Sequence, residues 1–249
     1  MQDLSEFFCG DDYDCEYSHL YEADIALIQR YIDKSGAKRL LDLCCGTGIV
    51  TVPLAEKLTF TTGVDIQPQM LATAIRKARH LDNIEFIEAD ATRFVADEPY
   101  DIAVMTGNAF QTFLDDPLLE SVLSNLSRQL VSGAYFIFDT RLPIGSNLTL
   151  DADWGETGSY TDPQGRHVRR FYKRVRYDEQ RNIIYFEKKR EYPDGSQFFS
   201  SIDLKYRPLE TIIAMLDEAG FDVEARFSNW EADPLQPDSK GMVCVARKR

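Results

Sequence analysis

Leu40-Leu41-Asp42-Leu43-Cys44-Cys45-Gly46-Thr47-Gly48 reads as a buried strand running straight into a tight glycine turn, with a helix from Ile49 to Leu58 opening behind it. A strand, a turn and a helix N-terminus in that order bring backbone N–H groups close to a small ligand. The residues around the turn narrow down which ligand. No Lys-Ser or Lys-Thr follows the glycines, so the loop is not a nucleoside-triphosphate P-loop. The dinucleotide fingerprint needs glycine at three positions, and its third position falls on Thr51. An acid, Asp42, stands four residues ahead of Gly46, where a ligand ammonium can be met directly or through water.

Bulk properties restrict the class further. The 249 residues suffice for one large α/β core, or one core with an elaboration. The first residues, Met-Gln-Asp-Leu-Ser-Glu, are acidic and lack the basic-then-apolar order of a signal peptide. No apolar run approaches the ~18 residues of a membrane span. A cytoplasmic protein without membrane association is therefore expected. The five cysteines (Cys9, Cys15, Cys44, Cys45, Cys244) are odd in number and lack metal-ligand spacing, which points to reduced thiols and no metal site. Cys44 and Cys45 are expected to serve as small residues beneath the turn. The net charge of −13 opposes nucleic-acid binding over most of the surface. It is unevenly spread, because Arg166 to Arg190 holds ten Lys/Arg against three acids.

Outward from the motif, apolar residues alternate between two periods. An acidic, aromatic leader (Phe7, Phe8, Tyr13, Tyr17) precedes a helix marked by Ile25, Ile28 and Ile32 and ended by Ser35-Gly36. Short, nearly continuous apolar strands follow at Arg39 to Leu43, Phe60 to Val64, Ile84 to Ile87, Tyr100 to Met105 and Ala134 to Phe138. Helices are expected between them, including one opening at Gln67-Pro68 and one from about Pro117 to Leu130. This alternation argues for a parallel sheet covered on both faces. From about Gly145 to Tyr206 the strands lengthen and read as antiparallel: Val168 to Tyr177, Ile183 to Tyr192 and Gln197 to Tyr206, joined at Asp178 to Asn182 and Pro193-Asp194-Gly195. A helix at Leu209 to Leu216 closes at Ala219-Gly220, and Phe221 to Phe227 and Met242 to Ala246 are the last strands. The antiparallel sheet thus interrupts the α/β unit, giving residues 1–144 and 207–249 as one domain and 145–206 as an inserted subdomain.

In an open parallel sheet, ligands lie beyond the carboxyl ends of the strands. Those ends carry Asp42 with the Gly46/Gly48 turn, then Asp65, Asp90, and Thr106 to Phe110. Asp-Leu-Cys-Cys-Gly-Thr-Gly resembles motif I of the class I S-adenosylmethionine (AdoMet) dependent methyltransferases, with Cys44 at the place of the first glycine. Tyr13-Asp14, Gly63-Val64-Asp65, Met70-Leu71, Glu88-Ala89-Asp90, Tyr100-Asp101, Val131-Ser132-Gly133 and Glu218 to Phe221 extend the likeness over nearly the whole chain. The resemblance implies a doubly wound, Rossmann-like methyltransferase fold with a mostly parallel seven-stranded sheet. The inserted sheet is similar to the lid-like insertion of sugar and metabolite methyltransferases. It also implies where AdoMet goes. Asp65 would accept from the ribose hydroxyls, Asp90 from the adenine amine, with the Ala91 N–H facing a ring nitrogen. Ile66 and Met70 would flank the adenine plane, and Tyr13 would close over the methionine end. Asp42, Cys44, Gly46, Gly48 and Thr106 complete the expected cofactor set.

Methyl transfer asks for alignment, desolvation and sometimes a base. Tyr17, His19, Tyr21, Asn108, Gln111 and Arg141 are the candidates for base or acceptor contact, with no one of them singled out. Asn108-Ala109-Phe110 is not the Asn/Asp-Pro-Pro-Tyr/Phe signature of amino-methylating nucleic-acid enzymes, which argues against DNA. The basic ribbon is expected to be a solvated strand face, with a phosphorylated acceptor, RNA or an acidic partner as alternatives. The expected activity is methyl transfer from AdoMet to oxygen or nitrogen of a small metabolite, with S-adenosylhomocysteine (AdoHcy) as product. An RNA methyltransferase and a non-catalytic AdoMet-binding regulatory module are the competing readings, and a homodimer is left open.

Overall fold

The computed structural model describes residues 5–249; the first four residues of the leader lie outside the described residues. Helices α1 (Gly10–Tyr17) and α2 (Glu22–Ser35) lead into β1 (Arg39–Leu43), α3 (Thr51–Ala55), β2 (Phe60–Asp65), α4 (Pro68–Lys77) and β3 (Ile84–Glu88). Then come β4 (Tyr100–Met105), α5 (Asp116–Gln129) and β5 (Leu130–Arg141). Strands β6 (Gly155–Thr161), β7 (His167–Asp178), β8 (Ile183–Glu191) and β9 (Gln197–Lys205) precede α6 (Leu209–Glu218), β10 (Phe221–Phe227) and β11 (Gly241–Lys248). Among the described residues no helix is long and apolar enough to cross a membrane.

The main sheet has seven strands in the order β10-β11-β5-β4-β1-β2-β3. All neighbours are parallel except at β11, which runs antiparallel to both β5 and β10. Both faces are buried, and the period-two pleat divides the side chains between them. Leu40, Ile102, Val104, Ile137 and Val245 pack with Leu27, Ile28 and Ile32 of α2 on one face. Leu41, Ala103, Met105, Phe136 and Phe138 pack with Leu119 and Leu123 of α5 and Ile212 and Leu216 of α6 on the other. The chain winds outward from β1 to β3, then returns to β4 on the far side of β1. That reversal between β1 and β4 is the switch point, where a crevice opens beyond the strand ends.

Four local differences from the sequence reading have physical causes. Helix α3 is only five residues long. Left-handed Gly48 (φ 70°) keeps the chain in a turn at its start, and three-residue bonds from Lys57 to Leu54 and from Leu58 to Ala55 tighten its end. Strand β5 runs from Leu130 to Arg141, well beyond Ala134 to Phe138, because β11 pairs with it as far as Gly241↔Arg141. The leader is helical: Asp11 and Asp12 suit the first turn of α1, and the helix lies on α4. Lys77 meets Asp14 at 2.6 Å, Arg76 pairs with Asp11, and Gly10 sits where a Cβ would come 2.5 Å from the Thr73 hydroxyl. A fourth strand, β6, completes the inserted sheet, order β6-β7-β8-β9.

Register in that sheet places Arg170 opposite Arg190, Tyr172 opposite Lys188, and Arg174 opposite Phe186. Phe186 in turn faces Ile202, and Lys188 faces Ser200. These residues make one face, turned toward the main sheet and the leader. Arg169, Lys173 and Arg176 fall on the other face. The basic ribbon is therefore not only a solvated face: the alternation that sends half of its charges outward sends the other half inward.

Candidate functional site

A cavity of about 910 Å³ runs from the crevice beyond β1 and β4 to the inner face of the inserted sheet. Its floor is the glycine turn. Gly46 holds φ 53°, and a Cβ placed there would have only the Met70 methyl within van der Waals reach, at 3.4 Å, so backbone is open to a ligand at this point. Cys44 also adopts a left-handed conformation (φ 61°), a strain of about 1–2 kcal/mol that glycine would avoid. Its side chain lines the cavity, whereas Cys45 packs toward Gly63 on β2, where there is no room for a Cβ. Of the two cysteines, only Cys45 fills the place beneath the turn.

Asp65, Ile66, Met70, Asp90, Ala91, Thr106 and Tyr13 all border the same space. The Asp65 carboxylate is already oriented: Oδ2 accepts the Gly46 N–H and Oδ1 the Gln67 N–H, each at 2.8 Å. Burial raises its pKa, against those donors. Asp90 Oδ1 accepts from both the N–H and the hydroxyl of Thr92, which, with the hydroxyl foremost, holds its carboxyl below the ordinary range. Tyr13 is fixed by its neighbours, its hydroxyl 3.3 Å from that of Tyr21 and its ring 4.6 Å from that of Tyr17. Burial pushes its phenol up to about 12, so it acts as a neutral hydrogen-bonding group.

Asp42 and Gly48 stand apart from the cavity. Asp42 is 1% exposed beneath the turn, takes the Thr51 hydroxyl at 2.6 Å, and has its pKa raised to about 7 by burial. Among the described residues its other oxygen is buried without a partner. Gly48 packs against Phe86 and Ala74. Both shape the turn from behind.

The roof is built by the leader and the inserted sheet. Arg190 of β8, 3% exposed, is held between Glu6 at 3.0 Å and Glu16 at 2.8 Å. Lys188 reaches Glu6 at 2.7 Å, Arg170 reaches Glu16 at 3.3 Å, and the Ser200 hydroxyl donates to Glu6 at 2.7 Å. Burial pushes the Glu6 carboxyl up, but Lys188 and Arg190 outweigh it and hold it at about 2. The inward half of the basic ribbon is thus largely neutralised by carboxylates of the leader.

Residues 40–133 match the family model for a methyltransferase domain. That segment, from β1 to the start of β5, reads as a methyltransferase domain. AdoMet is the methyl donor such a domain uses, and the groups present are compatible with it: open backbone at Gly46, an oriented carboxylate at Asp65 and apolar side chains at Ile66 and Met70. The chain is similar to a Geobacillus sp. (strain WCH70) protein named as a methyltransferase, 29% identical over 123 residues that cover 48% of this chain and 50% of that one. It is 36% identical over 81 residues to a 23S rRNA uracil-C5 methyltransferase of Shewanella amazonensis, covering 32% of this chain and 18% of that protein. The chain thus spans about half the length of the first relative and less of the second. Among solved structures, an AdoMet-dependent methyltransferase from Clostridium acetobutylicum superposes with a TM-score of 0.79 at 18% identity, covering 92% of each chain. An AdoMet-bound amino pentose methyltransferase from Micromonospora echinaspora gives 0.76 at 20% identity, covering 95% of this chain and 96% of that one. At these identities the likeness shows a shared fold, inserted sheet included.

Within the methyltransferase fold, Tyr17, Tyr21, Asn108 and Arg141 border the cavity. His19 is exposed and outside it. Gln111 is fully buried and structural: its Oε1 accepts the Arg141 N–H at 3.2 Å and its Nε2 donates to the Lys205 carbonyl at 3.3 Å. Sequence reasoning missed Glu6, Glu16, Asp24, Asp139 and Trp230, all of which line the space. Two of these had a signal. Asp139 ends β5, where the strand-end rule applies, and Asp24 lies on the stripe of α2 that carries Leu27, Ile28 and Ile32.

Proposed function

We propose that the protein transfers the methyl group of AdoMet to a nitrogen or oxygen of a small metabolite. The observation that carries this reading is the single continuous cavity that joins the strand-end constellation to the inner face of the inserted sheet. Its volume stands near the top of the roughly 300–1,000 Å³ typical of ligand pockets, which favours two small molecules side by side over a cofactor alone. That argues against a purely regulatory AdoMet-binding module. In this reading residues 1–144 and 207–249 hold AdoMet, through Asp65, Asp90, Ala91, Ile66, Met70, Cys44, Gly46, Thr106 and Tyr13, with Asp42 and Gly48 supporting the turn. Residues 145–206 with the leader enclose the acceptor. AdoMet supplies a methyl group already activated on a cationic sulfur, so the chain contributes alignment, exclusion of water and proton management.

The amino pentose enzyme among the structural neighbours supports a sugar-sized, amine-bearing acceptor. RNA is disfavoured, since the inward cations are engaged by Glu6 and Glu16 and the chain as a whole is acidic. All five thiols are free, which suits a reducing compartment such as the cytoplasm. Calorimetric titration should show AdoMet and AdoHcy binding at one site per chain, and a mass-spectrometric screen of metabolites should find one gaining a methyl group. Binding of NAD with no heat from either AdoMet or AdoHcy would overturn the reading.

A further inference from the structure

Two carboxyl groups at the cavity wall belong to neither the AdoMet-type constellation nor the roof. Asp24 lies on the buried stripe of α2, is 5% exposed, and borders the cavity. Among the described residues its carboxyl has no hydrogen-bond partner beyond its own backbone N–H. A polar side chain so buried, facing a cavity and unpartnered, is costly unless a ligand completes it. Asp139, at the end of β5, borders the same space and accepts the Asn108 N–H at 2.9 Å, with Trp230 beside it. The charged or titratable groups facing this pair are few: Glu231 toward Asp24, Arg141 toward Asp139, and the phenol of Tyr21, which feels both acids.

Burial first, then the charge of Asp139, raises Asp24 to about 8, and burial raises Asp139 to about 6. Near neutral pH Asp24 therefore keeps its proton while Asp139 is ionised, so the two groups together hold one proton and one negative charge. Such a pair offers an anionic acceptor and a neutral group side by side in a water-poor wall. A protonated amine matches it: it brings the missing positive charge and donates several N–H bonds. A hydroxyl brings no charge.

We propose that Asp24 and Asp139, on one wall of the cavity, together bind the protonated amine of the acceptor and take the proton its nitrogen must lose before methylation. This rests on the methyl-transfer reading above and names the group that the site would take. An N–H bond breaks and its proton passes to a carboxylate oxygen of the pair. The freed lone pair then forms the new N–C bond as the C–S bond gives its electrons to sulfur. The products are a methylammonium-type acceptor and the neutral thioether AdoHcy. The amine's proton stays on the pair until solvent removes it.

The experiment is carbon-13 NMR of aspartate-carboxyl-labelled full-length protein loaded with AdoHcy, for wild type, Asp24→Asn and Asp139→Asn. The probe is methylammonium at millimolar concentration, with methanol as the uncharged control. Two resonances should titrate on either side of neutrality, and Asp139→Asn should lower the titration of Asp24 by removing the like charge, while burial keeps it above the ordinary carboxylate range. Methylammonium should shift both signals saturably and methanol should not, while AdoHcy affinity stays within about threefold of wild type. Independent titrations in the ordinary range, or resonances unmoved by methylammonium, would overturn the proposal. A loss of AdoHcy affinity of about tenfold or more in Asp24→Asn would also overturn it, by giving the pair to the cofactor's own ammonium. Failure of the wild type to bind AdoHcy would remove the methyltransferase reading, and this proposal with it.

Discussion

Replacing Arg190 with Met should cost about 3–5 kcal/mol of stability, the usual penalty for removing one partner of a buried ion pair. The guanidinium is 3% exposed and bonds Glu6 and Glu16, which are 2% and 4% exposed, so its loss leaves two carboxylates in a dry wall. Among the described residues, Lys188 and Arg170 would remain as their cationic partners. A second route gives a similar figure. Holding Glu6 at about 2, against 4.5 in the unfolded chain, corresponds to about 3 kcal/mol. Because that pKa is depressed by folding, its stabilisation is complete above pH 4.5 and is lost as pH falls through about 2. Urea denaturation at pH 7 measures the substitution, and a pH series below 4.5 should show the wild type converging on the variant. Replacing Glu6, Glu16 and Arg190 together by Leu, Met and Met should recover part of the loss, since no fully buried charge is then left unpaired and the freed Lys188 and Arg170 retain some access to water. A stability for Arg190→Met within about 0.5 kcal/mol of wild type would refute the claim that this network anchors the leader to the inserted sheet.

Four further outcomes are expected. Asp24→Asn should be more stable than wild type by at least about 1 kcal/mol at pH 8 and by less at pH 5 in urea melts, because a carboxyl raised by folding stabilises at low pH and loses that contribution as pH rises through about 8. Asp65→Ala should weaken AdoHcy binding by about 1.5–3 kcal/mol in calorimetry, through the lost ribose acceptor and the freed Gly46 and Gln67 N–H groups. Cys44→Gly should raise thermal stability by about 1 kcal/mol by relieving its left-handed backbone. Arg169→Glu, on the outer face beside Glu156 and Glu191, should cost at most about 1 kcal/mol and leave AdoHcy binding unchanged, whereas Arg174→Glu should disturb the cavity wall and its pairing with Asp151.

The main sheet was legible because its strands alternate apolar residues between two buried faces and their ends carry acids. Reading those ends led directly to Asp65 and Asp90, and the glycine turn to Gly46. What escaped had physical reasons. The leader's acids and aromatics show no apolar helical stripe, since α1 is held to α4 by Asp11 and Asp14 and by glycine contact at Gly10. Strand β6, with two glycines and mostly exposed residues, has no pattern to betray it. Alternation along β7 and β8 separates two faces but does not say that the face of Arg170, Arg174, Lys188 and Arg190 turns inward. That depends on a contact with Glu6 and Glu16, more than 150 residues away. Asp42 shows the opposite limit: its place before the turn suggested a ligand contact, and burial against Thr51 gives it a scaffold role.

The thiols offer the experimenter a practical handle. Of the five cysteines, Cys15 alone is exposed, and it stands on α1, the helix that carries Glu16, which with Glu6 grips the inserted sheet. Partial burial, then Asp12, Asp14 and Asp11 around it, raises its pKa, so little thiolate forms at neutral pH and spontaneous oxidation there is slow. At mildly alkaline pH a maleimide fluorophore would react there first. The sequence thus comes with a position for reporting on the leader's surroundings when AdoHcy is added, and no cysteine needs to be added or removed.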